Sequence, residues 1–217
     1  MPEFSHQFRA MGTHVGLWLW HTNESLARQA LANIEQNFIQ LEARLSRFQP
    51  TSELSRLNRA AGQPVTVSPL LFDLVEQALR WRKRTGDIFD PTVLNALLAY
   101  GYDRSFELIA PAAAHPSPPH PESPPPINEI KLDRARRKIT LPPRAGIDLG
   151  GIAKGWAVQQ AGQILGHFGP TLVDAGGDIV CVSAPPSGSA WLVGVDNPLE
   201  SGTDLAILRL KNMAVAT

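Results

Sequence analysis

The stretch that says most about the fold is Ile147-Asp148-Leu149-Gly150-Gly151-Ile152-Ala153-Lys154-Gly155-Trp156. Its paired glycines bend the chain into a helix predicted over about residues 152–168, with Lys154 in the first turn. Free backbone N–H groups at a helix N-terminus attract anions, so the stretch could bind a phosphate group with help from Lys154 and a metal. The alternative is a plain strand-to-helix turn whose lysine is solvated. Both interpretations stay open, and neither the P-loop nor the Gly-x-Gly-x-x-Gly spacing is matched.

Upstream of this stretch, the apolar pattern predicts two long helices. Apolar residues recur at helical spacing over residues 23–45, and Asn23 can serve as the N-cap. A second helix opens with Ser68 as cap and Pro69 at the first helical position, and it stops at Gly86. Both helices are amphipathic and must therefore pack on a core.

Two other segments are predicted to be loops. In residues 45–58, Pro50 blocks helix continuation and Ser52 can cap a short turn, which indicates an ordered surface loop. Residues 109–126 hold eight of the chain's 19 prolines, a composition typical of extended, solvated backbone.

Short β-rich runs account for most of the second half of the chain. Residues 14–20 alternate with the period of a strand, and residues 213–217 look like a strand just beginning. The other predicted strands cover residues 138–141, 171–174, 179–183, 191–195 and 205–210. We therefore expect an α+β fold, with helices from the first half packed on a largely antiparallel sheet.

The composition of the chain excludes some classes of binding partner and some kinds of site. The 217 residues carry 20 Lys+Arg and 20 Asp+Glu, so the chain lacks the positive field of a nucleic-acid binder. Cys181 is the single cysteine, which excludes an internal disulfide and a cysteine-built metal site. Residues 1–20 hold no signal-peptide core, membrane span or lipid-accepting cysteine, so we expect a cytoplasmic protein without a transmembrane segment.

Two shorter clusters place acids beside turns. In residues 85–92, Asp90 precedes Pro91, where its carboxylate could accept a hydrogen bond from a ligand base or could simply cap the turn. Residues 174–178, Asp-Ala-Gly-Gly-Asp, predict a tight turn between two strands. Neither cluster is diagnostic alone.

Taken in chain order, five motifs together resemble the ApbE family of FAD:protein FMN transferases. The motifs are residues 10–13 (Ala-Met-Gly-Thr), 52–58 (Ser-Glu-Leu-Ser-Arg-Leu-Asn), 89–92 (Phe-Asp-Pro-Thr), 148–155 (Asp-Leu-Gly-Gly-Ile-Ala-Lys-Gly) and 174–178. The resemblance covers about residues 4–217, with the proline-rich stretch 109–126 as a local insertion. It implies an ApbE-like flavin transferase fold and a single domain over residues 1–217.

The resemblance also implies an activity. Such enzymes use Mg²⁺ to transfer the FMN half of FAD to a Thr or Ser hydroxyl of an acceptor protein, at an Asp-x-x-Ser/Thr-Gly-Ala-Ser/Thr-type site, and release AMP. Relatives of this kind are often exported to the cell envelope. The backbone carbonyl of Gly151 would help to hold the metal. The residues implied to contact FAD are Met11, Phe48, Ile88, Phe89, Asp90, Asp148 and Lys154.

This sequence departs from the family pattern in two places. Phe48 stands where similar enzymes usually place a tyrosine, which keeps a stacking face and loses the hydroxyl. The pattern would continue past Thr217 with a His-containing segment and further metal ligands, so we expect the catalytic residues beyond Thr217 and a C-terminally incomplete domain. Two alternatives therefore stand beside transfer: an inactive FAD-binding fragment, and a Mg²⁺-dependent FAD hydrolase that releases FMN and AMP.

Overall fold

The structure is a computed structural model that describes residues 1–104 and 129–216; the proline-rich stretch 109–126 lies outside the described residues. The helices are α1 (Glu24–Leu45), α2 (Glu53–Arg59), α3 (Pro69–Arg84), α4 (Leu94–Ala99) and α5 (Gly150–Gly166). The strands are β1 (Glu3–Ala10), β2 (Thr13–Trp20), β3 (Pro64–Thr66), β4 (Lys131–Asp133), β5 (Lys138–Thr140), β6 (Thr171–Ala175), β7 (Asp178–Val182), β8 (Trp191–Asp196), β9 (Asp204–Leu210) and β10 (Met213–Val215). The strand pairs are antiparallel, which confirms the predicted α+β class.

The chain divides into two compact units. The first, called the sheet unit below, comprises Met1–Ile39 and Lys154–Thr217, and the second, the helical unit, comprises Gln40–Ala153. The boundaries fall inside α1 and α5. The single-domain organisation over residues 1–217 stays a prediction.

The sheet unit contains a five-stranded sheet in the order β1-β2-β6-β7-β10, with helices on one face. Helix α1 packs on β1, where the Phe8 and Phe38 rings meet edge to face at 5.5 Å. Helix α5 lies close to β7, because a Cβ at Gly162 would come within 2.3 Å of Val180 Cγ1. Helix-on-sheet packing is thus confirmed in this unit.

The opposite face of the same sheet is covered by the β8–β9 hairpin. Trp191 and Leu210, opposite each other in the hairpin, pack with Leu172 and Cys181 of the sheet. The Trp191 indole donates a 3.0 Å hydrogen bond to the carbonyl of Ser183, which fixes the start of the hairpin. Burial in this cluster raises the pKa of the Cys181 thiol to about 11.

The helical unit is built around α2, α3 and a three-stranded sheet in the order β3-β5-β4. Ser68 caps α3 by accepting a 3.2 Å hydrogen bond from the N–H of Leu71, and Pro69 occupies the first turn, as predicted. The Ser68 hydroxyl also donates to Glu53 at 2.6 Å. This bond ties the start of α3 to the start of α2.

Most element boundaries agree with the sequence predictions, and the exceptions have physical reasons. Asn23 caps α1 through a 3.0 Å bond from the N–H of Leu26. The surface-loop prediction is wrong for Glu53–Arg59, which forms α2, because Leu54 and Leu57 share one helix face and are fully buried. Four short or edge elements were not predicted from the sequence: β1, β3, β4 and α4. No helix in the described part of the chain has the length and apolar character of a membrane span.

Candidate functional site

Two of the family-like motifs meet in the helical unit. The N–H of Asp148, which opens the glycine-lysine stretch, donates a 2.8 Å hydrogen bond to the carbonyl of Pro91. Gly151 lies against the ring of Phe89, since a Cβ at this glycine would be 3.0 Å from Phe89 Cε2. The close approach explains why the chain needs a glycine at this position.

A third motif joins them through Asn58. Its amide nitrogen donates to the carbonyl of Ile147 at 2.9 Å, and its amide oxygen accepts from the N–H of Ile147 at 2.8 Å. The side chain thereby pairs with the backbone as a neighbouring strand would. Asn58 lies in the motif at residues 52–58, and this role of its side chain was not predicted from the sequence.

The carboxylate of Asp148 is held on both oxygens. Oδ1 accepts from the N–H of Gly150 at 2.7 Å, and Oδ2 lies 2.6 Å from Nε of Arg47. The N–H groups of Ile152 and Ala153 bond to the carbonyl of Leu149. The expectation of free N–H groups is therefore wrong for Gly150, Ile152 and Ala153, because Asp148 and the first helical turn already satisfy them.

Arg47 belongs to an aromatic cluster that was not predicted from the sequence. Its guanidinium carbon lies 4.2 Å from the centre of the Phe48 ring and 4.6 Å from that of Tyr102. The two rings meet edge to face at 5.9 Å. Arg47 adjoins Phe48 in the sequence, whereas nothing in the sequence pattern singles out Tyr102.

Asp90 acts in the structure as a turn cap and an ion-pair partner. Oδ1 accepts hydrogen bonds from the N–H and the hydroxyl of Thr92 at 2.8 and 2.6 Å, and Oδ2 lies 3.2 Å from Nη2 of Arg82. Turn capping was one of the two interpretations of this acid. Its predicted contact with FAD stays a prediction.

The helical unit also exposes apolar side chains at predicted flavin-contact positions. Ile88 is 91% exposed and Phe48 is 39% exposed. Exposed apolar and aromatic side chains of this kind can pack against a planar ring. The predicted FAD contacts of Phe48, Ile88, Phe89 and Asp148 nevertheless stay predictions.

Lys154 lies in the sheet unit, where it contacts the Asp-Ala-Gly-Gly-Asp turn. Its ammonium is 3.3 Å from Oδ2 of Asp178 and 3.4 Å from the carbonyl of Gly176. The side chain is 27% exposed and paired with an acid, so it is not the solvated lysine of the plain-turn interpretation. Its ammonium therefore forms an ion pair with Asp178.

Met11 sits beside the same turn of the sheet unit. It occupies the β1–β2 turn with φ 53°, and a Cβ at Gly176 would be 2.2 Å from the hydroxyl of Thr13. The motifs at residues 10–13 and 174–178 are therefore in contact. The predicted contact between Met11 and FAD stays a prediction.

The sheet unit also carries a cleft of about 580 Å³ beside α5, β7 and β10. Gln159, Gln163 and Asp178 supply polar groups, and residues 212–216 line one side. None of the predicted flavin or metal residues lines this cleft. Two other motif residues, Gly155 and Asp178, do line it.

The metal prediction finds little support among the described side chains. Within residues 1–104 and 129–216, no group of three or more His, Cys, Asp or Glu side chains is arranged to hold a metal ion. Asp148 is committed to Arg47 and Gly150. A Mg²⁺ ion at the carbonyl of Gly151 would need further oxygen ligands, which substrate phosphates and water commonly supply, so this metal contact stays a prediction.

The chain combines an α+β fold with a glycine-lysine turn that the side chains of Asp148 and Asn58 hold in place. The model of the ApbE family matches residues 11–217. The chain belongs to the ApbE family.

Curated relatives carry a shared name. A protein of Chlamydia muridarum named FAD:protein FMN transferase is 29% identical over 198 residues, which cover 89% of this chain and 59% of the relative. A protein of Haemophilus influenzae with the same name is 27% identical over 199 residues, which cover 85% of this chain and 56% of the relative. The chain thus spans less than two thirds of the length of these relatives.

Solved structures confirm the predicted ApbE-like fold. The ApbE protein of Thermotoga maritima superposes with a TM-score of 0.82 at 23% identity, over 99% of this chain and 70% of that chain. The flavin transferase ApbE of Vibrio cholerae superposes with a TM-score of 0.77 at 20% identity, over 99% of this chain and 71% of that chain.

Proposed function

We propose that this chain carries the flavin-nucleotide-binding part of an FAD:protein FMN transferase. Family membership and the name shared by its relatives support the class of reaction. The observation that carries the proposal is the hydrogen bond from Asp148 to Pro91. It brings the Phe-Asp-Pro-Thr motif against the glycine turn, so two motifs far apart in the sequence form one surface.

In the proposed reaction, a Thr or Ser hydroxyl oxygen of the acceptor bonds to the phosphorus of the FMN half of FAD. The bond from that phosphorus to the bridging oxygen breaks, AMP leaves with that oxygen, and the hydroxyl proton passes to solvent or a base. Phe48, Ile88 and Phe89 would contact a planar ring of the substrate. Lys154 would offset phosphate charge, the electrostatic contribution that phosphoryl transfer requires.

The proposal includes Mg²⁺ and an acceptor protein. Among the described residues, no group of three or more His, Cys, Asp or Glu side chains could hold the ion, so its other ligands would come from the substrate, water or groups outside these residues. The acceptor would present an Asp-x-x-Ser/Thr-Gly-Ala-Ser/Thr-type segment.

A direct test incubates the chain with FAD, Mg²⁺ and an acceptor carrying an Asp-x-x-Thr-Gly-Ala-Thr segment, and measures the acceptor mass. An added FMN that requires Mg²⁺ would support transfer. Release of FMN and AMP without acceptor would indicate the hydrolase, and FAD binding without either product would indicate a binding fragment. A chain that neither binds FAD nor forms product contradicts the proposal.

Two lysine variants locate the phosphate contact. Lys154→Ala should weaken FAD binding, because it removes the charge that would face phosphate. Lys131→Ala, in the short strand β4 and outside every motif, should leave FAD affinity unchanged. Equal affinities for both variants would remove Lys154 from the proposed role.

A further inference from the structure

Arg47 is a buried cation, and only part of its guanidinium is paired. Its side chain is 6% exposed, and Nε lies 2.6 Å from Oδ2 of Asp148. Nη2 is also buried, and it has no hydrogen-bond partner among the described residues. Burying a guanidinium nitrogen without a hydrogen-bond partner costs free energy, and the ion pair with Asp148 offsets this cost only in part.

The aromatic rings of Phe48 and Tyr102 occupy the space around the guanidinium. Both ring centres lie within 4.6 Å of its central carbon, which is a cation–π distance. A guanidinium is planar and presents its donors in a rigid fork. Pairing one side of the fork with Asp148 therefore fixes the plane against which both rings rest.

We propose that Arg47 is a positioning residue for the flavin-nucleotide site and that Tyr102 is a further contact for a planar heteroaromatic ring of the ligand. This inference rests on the proposed function. Arg47 forms an ion pair with Asp148 at the glycine turn, and its guanidinium fixes the positions of the Phe48 and Tyr102 rings relative to that turn. Tyr102 also brings a phenol hydroxyl next to Phe48. The family pattern would place a tyrosine, with its own hydroxyl, at position 48.

The ring could be the isoalloxazine or the adenine of FAD, and the two halves can be tested separately. Dissociation constants for FAD, FMN and AMP should be measured by calorimetry for Arg47→Met, Arg47→Lys and Tyr102→Leu. The matched control is Arg84→Met, because Arg84 lies 4.7 Å from the Trp81 ring in the same unit and stands outside the five motifs in the sequence. Thermal unfolding of each variant reports on folding.

We expect Arg47→Met and Tyr102→Leu to bind FAD about tenfold more weakly than the unaltered chain, with Arg84→Met unchanged. Arg47→Lys keeps the charge without the planar fork and should lose less. The loss should appear with only one half of FAD. A loss confined to FMN identifies the isoalloxazine as the ring, and a loss confined to AMP identifies the adenine.

Three results would overturn the inference. Equal losses for FMN and AMP would indicate general disruption and a purely structural arginine. Unchanged affinities would remove the positioning role while leaving the proposed function intact, and an unaltered chain that binds no FAD would defeat both. If Arg47→Met fails to fold, Arg47→Lys and Tyr102→Leu decide the question by the same criteria.

Discussion

The ammonium of Lys154 lies 3.3 Å from Oδ2 of Asp178. This ion pair joins the glycine-lysine stretch to the Asp-Ala-Gly-Gly-Asp turn, and it explains why an acid follows the paired glycines of that turn. Asp178 holds the lysine side chain in place and also lowers its net attraction for anions. A phosphate ligand must share the lysine with this carboxylate.

Asp178→Asn should therefore strengthen the binding of an anionic ligand. Removing the carboxylate leaves the Lys154 charge unopposed, and the expected gain in affinity for inorganic pyrophosphate is about two- to fivefold at low salt. Titration calorimetry at two ionic strengths measures it. Asp174→Asn, which alters the other acid of the turn, serves as the control; weaker binding by Asp178→Asn would show that Asp178 mainly orients the lysine.

The two hydrogen bonds between the Asn58 side chain and the Ile147 backbone, called the Asn58 clamp here, should contribute strongly to the free energy of unfolding. Asn58→Ala removes two hydrogen bonds to one residue and leaves partly buried backbone groups without partners, so the free energy of unfolding should fall by about 2–3 kcal/mol. Urea unfolding measures the change. Asn95→Ala removes a single exposed bond to the carbonyl of Arg144 and should cost under about 1 kcal/mol. Similar losses in both variants would contradict a special role for the clamp.

Two glycines of α5 should respond in opposite ways to the same substitution. A Cβ at Gly162 would lie 2.3 Å from Val180 Cγ1, so Gly162→Ala should lower the free energy of unfolding by about 1–3 kcal/mol. The nearest atom to a Cβ at Gly155 is Oδ2 of Asp178 at 4.0 Å, so Gly155→Ala should raise it by up to about 1 kcal/mol through helix propensity. Chemical denaturation of both variants tests the contact between α5 and β7. Stabilisation by both would show that the helix can move away from the strand.

The sequence predicts an element of the fold correctly when the residues that determine this element lie next to it in the chain. Ser68 and Pro69 lie next to the helix that they start, so the beginning of α3 was predicted correctly. Helix α2 was interpreted as a loop, because its stability comes from burying Leu54 and Leu57 in a core assembled by other segments. Its seven residues are too few to be helical without that packing.

The residues of the candidate site likewise divide into those that the sequence identified and those that only the folded structure reveals. The resemblance identified Asp148 and Asp90, but it did not identify the buried arginines that hold them, Arg47 and Arg82. Each pair joins residues from different segments of the folded chain, so no periodicity or spacing in the sequence records it. Tyr102 joins the aromatic cluster for the same reason, through the folded chain alone.

Cys181 gives a prediction about alkaline pH. The residue is 1% exposed, and burial raises the pKa of its thiol to about 11 in the folded chain, whereas an unfolded thiol has a pKa of about 8.5. Between these values the unfolded chain binds fewer protons than the folded one, so the stability contributed by the protonated thiol is complete below about pH 8.5 and is lost as pH rises toward 11.

Lysines and tyrosines also titrate in this window, so the comparison must be made against Cys181→Ala. The difference in unfolding free energy between the unaltered chain and this variant should be constant below about pH 8, and it should shrink by roughly 3 kcal/mol by pH 11. Denaturant unfolding at each pH measures it. A difference that stays constant throughout would show that the thiol ionises equally well in both states and that the cluster around Trp191 admits water.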